Sequence, residues 1–275
     1  YYYLFSNHRK IINNSILYIC IFSHMEDFFY YFTLIGVGFV VGFINTLAGG
    51  GSLLTLPVLI FLGLPPVVAN GTNRIVILTQ ALVGTAGYKS KGISSYPFSL
   101  YLGISASVGA LIGAQIAVDI KGETFNRILA IVLVVVGLLT IVKNKNTVQV
   151  IEERVTGKYL YLSIIAFFFI GIYGGFINAG IGFVIMIFLN GFNRISLIKT
   201  NATKVALIAV YTSLALALFA YNGKVDWIVG LWMSLGTAIG AWWSSRLSVK
   251  KGDRVIRIMM LIMVIAISIK LWFFD

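Results

Sequence analysis

Arg74 and Lys204 stand inside otherwise apolar stretches, ANGTNRIVIL and IKTNATKVAL, each behind a short cluster of Asn and Thr. A cation at the centre of a membrane helix costs about 3 kcal/mol on insertion scales, so it needs either a use or a route to the headgroups. Snorkelling to the headgroups explains one such residue. It explains less well why two stretches keep a cation behind a matching polar cluster. The chemistry these residues could do is electrostatic attraction of an anion, with Asn70, Thr72, Asn73, Asn201 and Thr203 adding neutral hydrogen bonds.

A second candidate is NTLAGGGSLLTLP, Asn45 to Pro57, with its partner NAGIGF, Asn178 to Phe183. Each glycine costs a helix about 1 kcal/mol relative to alanine, so Gly49, Gly50 and Gly51 in succession mark a break in the chain. A break exposes backbone N–H groups at the start of the next short helix, where the dipole carries roughly half a positive charge and suits an anion. Close packing of small residues is the competing explanation. Asn45 and Asn178 lie at matched places beside the two breaks, and Gly180 and Gly182 open the second one. That matching favours a binding site.

Other chemistries lack their residues. Cys20, His8 and His24 all precede Met25, so the rest of the chain holds no His/Cys metal site, thiol nucleophile or Ser–His triad. Asp119, Glu123, Glu152, Glu153, Asp226 and Asp253 fall in loops or at segment ends, so a proton relay has no mid-span members. No cofactor, metal or enzymatic activity is expected. Coupling to Na+, coupling to H+ and uncoupled flow through a channel or facilitator all remain open.

The elements that must position these residues follow from composition. With 59% hydrophobic and 11% charged residues and a mean hydropathy of +0.94, the chain cannot cover a water-facing surface. It reads as an all-α polytopic membrane protein, and its net charge of +12 reports loop topology rather than a nucleic-acid partner. Apolar segments fall at about 28–48, 51–62, 67–88, 96–118 and 125–142, then 159–179, 181–190, 197–220, 227–245 and 255–274. Most can cross about 30 Å of hydrocarbon at 1.5 Å per residue, whereas the second of each set is too short to do so upright. Residues 1–24 read as an upstream extension or an interfacial anchor, with Met25 as the natural start. Residues 25–142 and 159–275 form two modules around a polar linker, 143–158.

The modules are copies of each other. GFIN recurs at Gly42 and Gly175, and NGTNR at Asn70 is echoed by TNATK at Thr200. Gly103, Gly109, Gly113, Arg127 and Lys143 correspond to Gly230, Gly236, Gly240, Arg254 and Lys270 at one constant offset. Gly103, Gly109 and Gly113 read as a helix-contact face. If all five segments of each module cross, the second module is inverted, and the loop cations divide 13 to 4, with Lys121, Arg127, Lys224 and Lys270 in the minority. If the short segments turn back, the modules are parallel and the division is 9 to 8. Enrichment of Lys and Arg in cytoplasmic loops favours the inverted arrangement.

At these motifs the chain resembles the TauE/SafE family of sulfite and organosulfur anion exporters. The resemblance rests on GFINTLAGGGSLLTLPVLIFLGLPPVVANGTNRI, Gly42 to Ile75, on GGFINAGIGFVIMIFL, Gly174 to Leu189, and on TNATK. It spans about Met25 to Phe274. It implies a permease of duplicated modules in a prokaryotic cell membrane, with small anions such as sulfite or sulfonates as substrates and lipids as surroundings. The second module departs from the first in lacking the triple glycine and in carrying Lys in place of Arg. The expected mechanism is transport of a small anion by alternating access, one repeat rocking against the other.

Overall fold

In hydrocarbon every backbone N–H and C=O must be satisfied within the chain, which leaves helices as the economical answer for long apolar stretches. The structure is a computed structural model that describes residues 29–142 and 153–251. Among them are nine helices: α1 (Phe29–Ala48), α2 (Ser52–Phe61), α3 (Pro66–Lys89), α4 (Phe98–Asp119), α5 (Gly122–Val142), α6 (Gly157–Phe176), α7 (Ile181–Gly191), α8 (Leu197–Tyr221) and α9 (Trp227–Lys251). Four of them, α1, α4, α6 and α8, are long and apolar enough to cross a membrane, and α2 and α7 are the short pair. The extension 1–24, linker residues 143–152 and the segment 255–274, with Arg254 and Lys270, lie outside the described residues.

The helices match the apolar segments to within a few residues, except that α6 stops at Phe176 and α9 continues to Lys251. The early stop has a local cause. Asn178 takes a left-handed φ of 55° and Gly180 one of 69°, so the helix cannot continue through them.

Glycines fix how the long helices cross. A Cβ on Gly109 or Gly113 of α4 would strike the carbonyls of Phe168 and Ile172 on α6, and one on Gly171 or Gly175 of α6 would strike those of Ala106 and Ala110. The same arrangement recurs between α1 and α9, where Gly38 and Gly42 abut Met233 and Thr237 while Gly236 and Gly240 abut Ile35 and Phe39. These are backbone-to-backbone crossings of the kind small residues permit in membranes. Gly109 and Gly113 thus form the contact face expected of them, and Gly103 faces the Val210 side chain of α8.

The partners of α4 and α9 are the unexpected part. Helix α4, from the first module, packs on α6 and α8 of the second; α9, from the second, packs on α1 and α3 of the first. The two modules therefore exchange their fourth helices. Contacts also give directions. Thr72 near the start of α3 accepts from the Asp226 N–H before α9 at 2.8 Å, and Ser248 near the end of α9 donates to the Tyr88 hydroxyl near the end of α3 at 2.9 Å. Helices α3 and α9 run the same way, as do α1 and α9. Helix α2 runs back between α1 and α3 against a core of Leu34, Val41, Leu59, Ala69, Val76, Val229 and Met233.

Candidate functional site

The two chain breaks meet. A Cβ on Gly49 would lie 2.6 Å from the Gly182 carbonyl carbon, and one on Gly182 would run into the Gly49 backbone. Gly49 also has φ of 81°, a conformation L side chains rarely adopt. The Gly180 N–H donates to Ser52 Oγ across the same junction at 3.1 Å. Asn45, Gly49, Gly50 and Gly51 are thereby brought together with Asn178, Gly180 and Gly182, all seven of them buried.

Each break ends a long helix, and the last carbonyls of a helix have no partner within it. The two cations supply those partners from the opposite module. Arg74 donates to the carbonyls of Gly174 at 2.5 Å and Gly175 at 2.6 Å, and its neighbour Asn70 donates to that of Phe176 at 2.7 Å. Lys204 donates to the carbonyls of Asn45 at 3.0 Å and Thr46 at 3.2 Å, and Asn201 donates to that of Leu47 at 2.8 Å. Three consecutive carbonyls at the end of α6 and three at the end of α1 are each clamped by one Asn and one cation. Within each pair the Asn Oδ1 accepts from its own cation, at 3.2 Å for Arg74 and 2.7 Å for Lys204. Arg74 also lies over the Phe219 ring, 5.3 Å from its centroid.

Neither cation snorkels: Arg74 is 0% and Lys204 1% exposed. Among the described residues no Asp or Glu is buried, and the two ion pairs, Arg127–Glu123 and Lys199–Glu153, lie at helix ends or in the linker. The positive charges inside the bundle therefore face carbonyl dipoles without a compensating anion. Cations are favoured at helix C-termini by the macrodipole.

The remaining candidates divide. Thr72 braces the approach to α9 and Thr203 donates to the Lys199 carbonyl in its own helix, so both serve local structure. Asn73 is fully buried with neither Oδ1 nor Nδ2 bonded. Each break asparagine is held by a polar side chain from the third helix of its own module. Asn45 Nδ2 donates to Gln80 Oε1 at 2.7 Å and its Oδ1 accepts from the Gly51 N–H at 3.2 Å; Gln80 Nε2 donates to Thr46 Oγ1 at 3.0 Å. Tyr211 OH donates to Asn178 Oδ1 at 2.7 Å, but Asn178 Nδ2 has no partner although the residue is buried. Arg74 Nε is likewise buried and unbonded. Both free donors adjoin the same segment, Gly174 to Gly180.

Gln80, Thr46, Ser52 and Tyr211 were not among the residues singled out from the sequence. Gln80 had a usable signal, an amide in the middle of an apolar span. Tyr211 had none, because its ring alone justifies its place in the core cluster with Ile185, Leu189 and Leu207.

A profile of the family described as sulfite exporter TauE/SafE matches residues 34–271. A probable membrane transporter protein of a Sinorhizobium species is 30% identical over 234 residues, covering 85% of this chain and 88% of that one. The probable membrane transporter protein YfcA of Escherichia coli is 32% identical over 246 residues, covering 86% and 89%. A probable membrane transporter protein of Haemophilus influenzae is 29% identical over 240 residues. No solved structure matches the chain.

Proposed function

The chain belongs to the sulfite exporter TauE/SafE family of multi-pass membrane transporters, and from that premise we propose that its cargo is a small anion bound where the two chain breaks meet. The family description points to sulfite, and sulfonates or related organosulfur and carboxylate anions share its charge and acceptor geometry. The observation that carries the reading is the charge balance of the interior: two buried cations and no buried carboxylate among the described residues. Their direct donors are largely committed to carbonyls, so they act chiefly through the positive potential they leave uncancelled. Direct contacts fall to donors that remain free, Asn178 Nδ2 and Arg74 Nε, together with the backbone at the start of α7, with Asn73 as a further unbonded amide.

Asn178→Asp is an isosteric test. The acid keeps an oxygen for the Tyr211 hydroxyl and replaces the free NH2 with a negative charge. In proteoliposomes, sulfite flux is expected to fall about tenfold or more, since a charge-assisted hydrogen bond worth about 1.5–3 kcal/mol becomes a repulsion. Unchanged flux removes Asn178 from the site.

Transport by alternating access fits a bundle whose bodies are not the two sequence modules. One body comprises α1, α2, α3 and α9, the other α4, α6, α7 and α8, and the two clamps and the glycine junction cross between them. Rocking of these bodies would pass the anion from one face to the other. Inverted modules are supported by α1 and α3 pointing the same way, which needs α2 to cross back. The topology is tested in a Cys20→Ser background by placing single cysteines at Lys158 and Lys121. An impermeant thiol reagent added outside intact cells is expected to label position 121 and not 158. Labelling at both or with the opposite preference overturns the inverted arrangement.

A further inference from the structure

We propose that a cavity at the basic end of α9 is a binding site for an anionic phospholipid, whose phosphate is held by Lys91, Arg246 and Lys250. The cavity has a volume of about 590 Å³, and its lining contains these three cations and no acid. Phe43, Trp243 and Leu247 make its apolar wall. Arg246 is held ready: its guanidinium lies 3.9 Å from the centroid of the Trp242 ring, and one of its NH2 groups reaches Ser90 Oγ at 3.4 Å. Its Nε is buried without a partner, and among the described residues no carboxylate lies within ion-pair distance of Arg246, which leaves its charge for a ligand. Stacking orients the planar fork that suits a phosphate.

Two observations select a lipid rather than a soluble anion. The cavity lies where α3 and α9 end together, among cations assigned to the basic face, and juxtamembrane cations attract anionic headgroups there. From its apolar wall an exposed strip runs down α9 toward the bilayer interior: Trp243, Ile239, Leu235 and Leu231, spaced one per turn and each about half exposed or more. A phosphate at the cavity mouth places its acyl chain along that strip. A soluble anion would leave the strip unused.

The test is native mass spectrometry of the delipidated full-length protein with phosphatidylglycerol, phosphatidylcholine and soluble glycerol 3-phosphate. Phosphatidylglycerol is expected to bind in preference to phosphatidylcholine, with glycerol 3-phosphate far weaker. The double variant Arg246→Gln, Lys250→Gln should weaken phosphatidylglycerol binding about thirtyfold, given the contribution of each interfacial cation. Arg246→Lys with Lys250→Arg keeps the charge and should retain most of the binding. Lys91→Gln, on a loop, is a second neutral variant, with a loss of about fivefold. Equal binding of the two lipids, or a neutral double variant that binds like the wild type, overturns the proposal. Saturation by glycerol 3-phosphate alone would make this a soluble-phosphate site, and a lipid-free dimer closing over the strip would make it an interface. Either result also overturns it.

Discussion

Arg74→Gln is expected to keep the protein folded while lowering anion flux by about a hundredfold, and Arg74→Met to lose both. The glutamine NH2 ends about where Arg74 Nε stands, short of the carbonyls of Gly174 and Gly175, but a water in the space left by the guanidinium can bridge to them, so part of the clamp on α6 survives. The positive charge does not. If that charge is what holds an anion at the junction, its removal from an interior without buried carboxylates costs about 3 kcal/mol, a hundredfold in rate. Methionine instead strands two buried carbonyls, at about 1–3 kcal/mol each, and the thermal midpoint should drop accordingly. Lys204→Met strands the carbonyl of Thr46 in the same way, whereas that of Asn45 keeps the Gly49 N–H at 2.9 Å. Lys158→Met, in an exposed position at the start of α6, is the control and should stay within about 0.5 kcal/mol of the parent. Flux normalised to folded protein separates the outcomes. An Arg74→Gln protein that transports at the parental rate would leave the cation as a helix cap and nothing more.

The second large effect is expected at the glycine junction. Gly182→Ala puts a methyl group into the Gly49 backbone, which has no side chain that could move aside. Relieving such a contact means separating the two breaks, and overpacking of this kind typically costs about 1–3 kcal/mol. Gly49→Ala adds left-handed strain of about 1–2 kcal/mol to the same collision and should be the more damaging. Gly63 provides the comparison, because its φ is 90° but nothing lies within 4 Å of the added carbon. Gly63→Ala therefore isolates the strain alone. The expected order of thermal midpoints is parent, Gly63→Ala, Gly182→Ala, Gly49→Ala. Transport should be lost in the last two and retained in Gly63→Ala. If Gly182→Ala transports normally, the breaks need not touch during the cycle.

Much of this was legible in the residues. Runs of apolar character located nine described helices, and the three glycines and Asn178 located both breaks, because helix propensity and left-handed backbone act locally. The burial of Arg74 and Lys204 was legible too, since a cation in an apolar span advertises its cost. Their partners were not. A carbonyl at the end of a broken helix looks the same in sequence as any other, so nothing indicated that Arg74 would reach Gly174, a hundred residues away. The glycine faces of α4 and α9 could be read as contact surfaces, but a row of glycines does not name the helix that fills it. Gln80 and Tyr211 escaped because one polar group in an apolar helix acquires meaning only from what stands opposite.

The exchange of α4 and α9 also has a consequence during synthesis. Helices α1 and α3 expose their packing surfaces as soon as they enter the bilayer, yet the helix that covers them begins only at Trp227. At translation rates of about 5–20 residues per second, the nascent first module waits roughly 10–30 s for its partner. Through that interval Gly38 and Gly42 offer a bare backbone ridge to whatever lies beside the ribosome's exit into the membrane. A premature stop in the second module thus leaves a product whose first module, though fully translated, has never been closed.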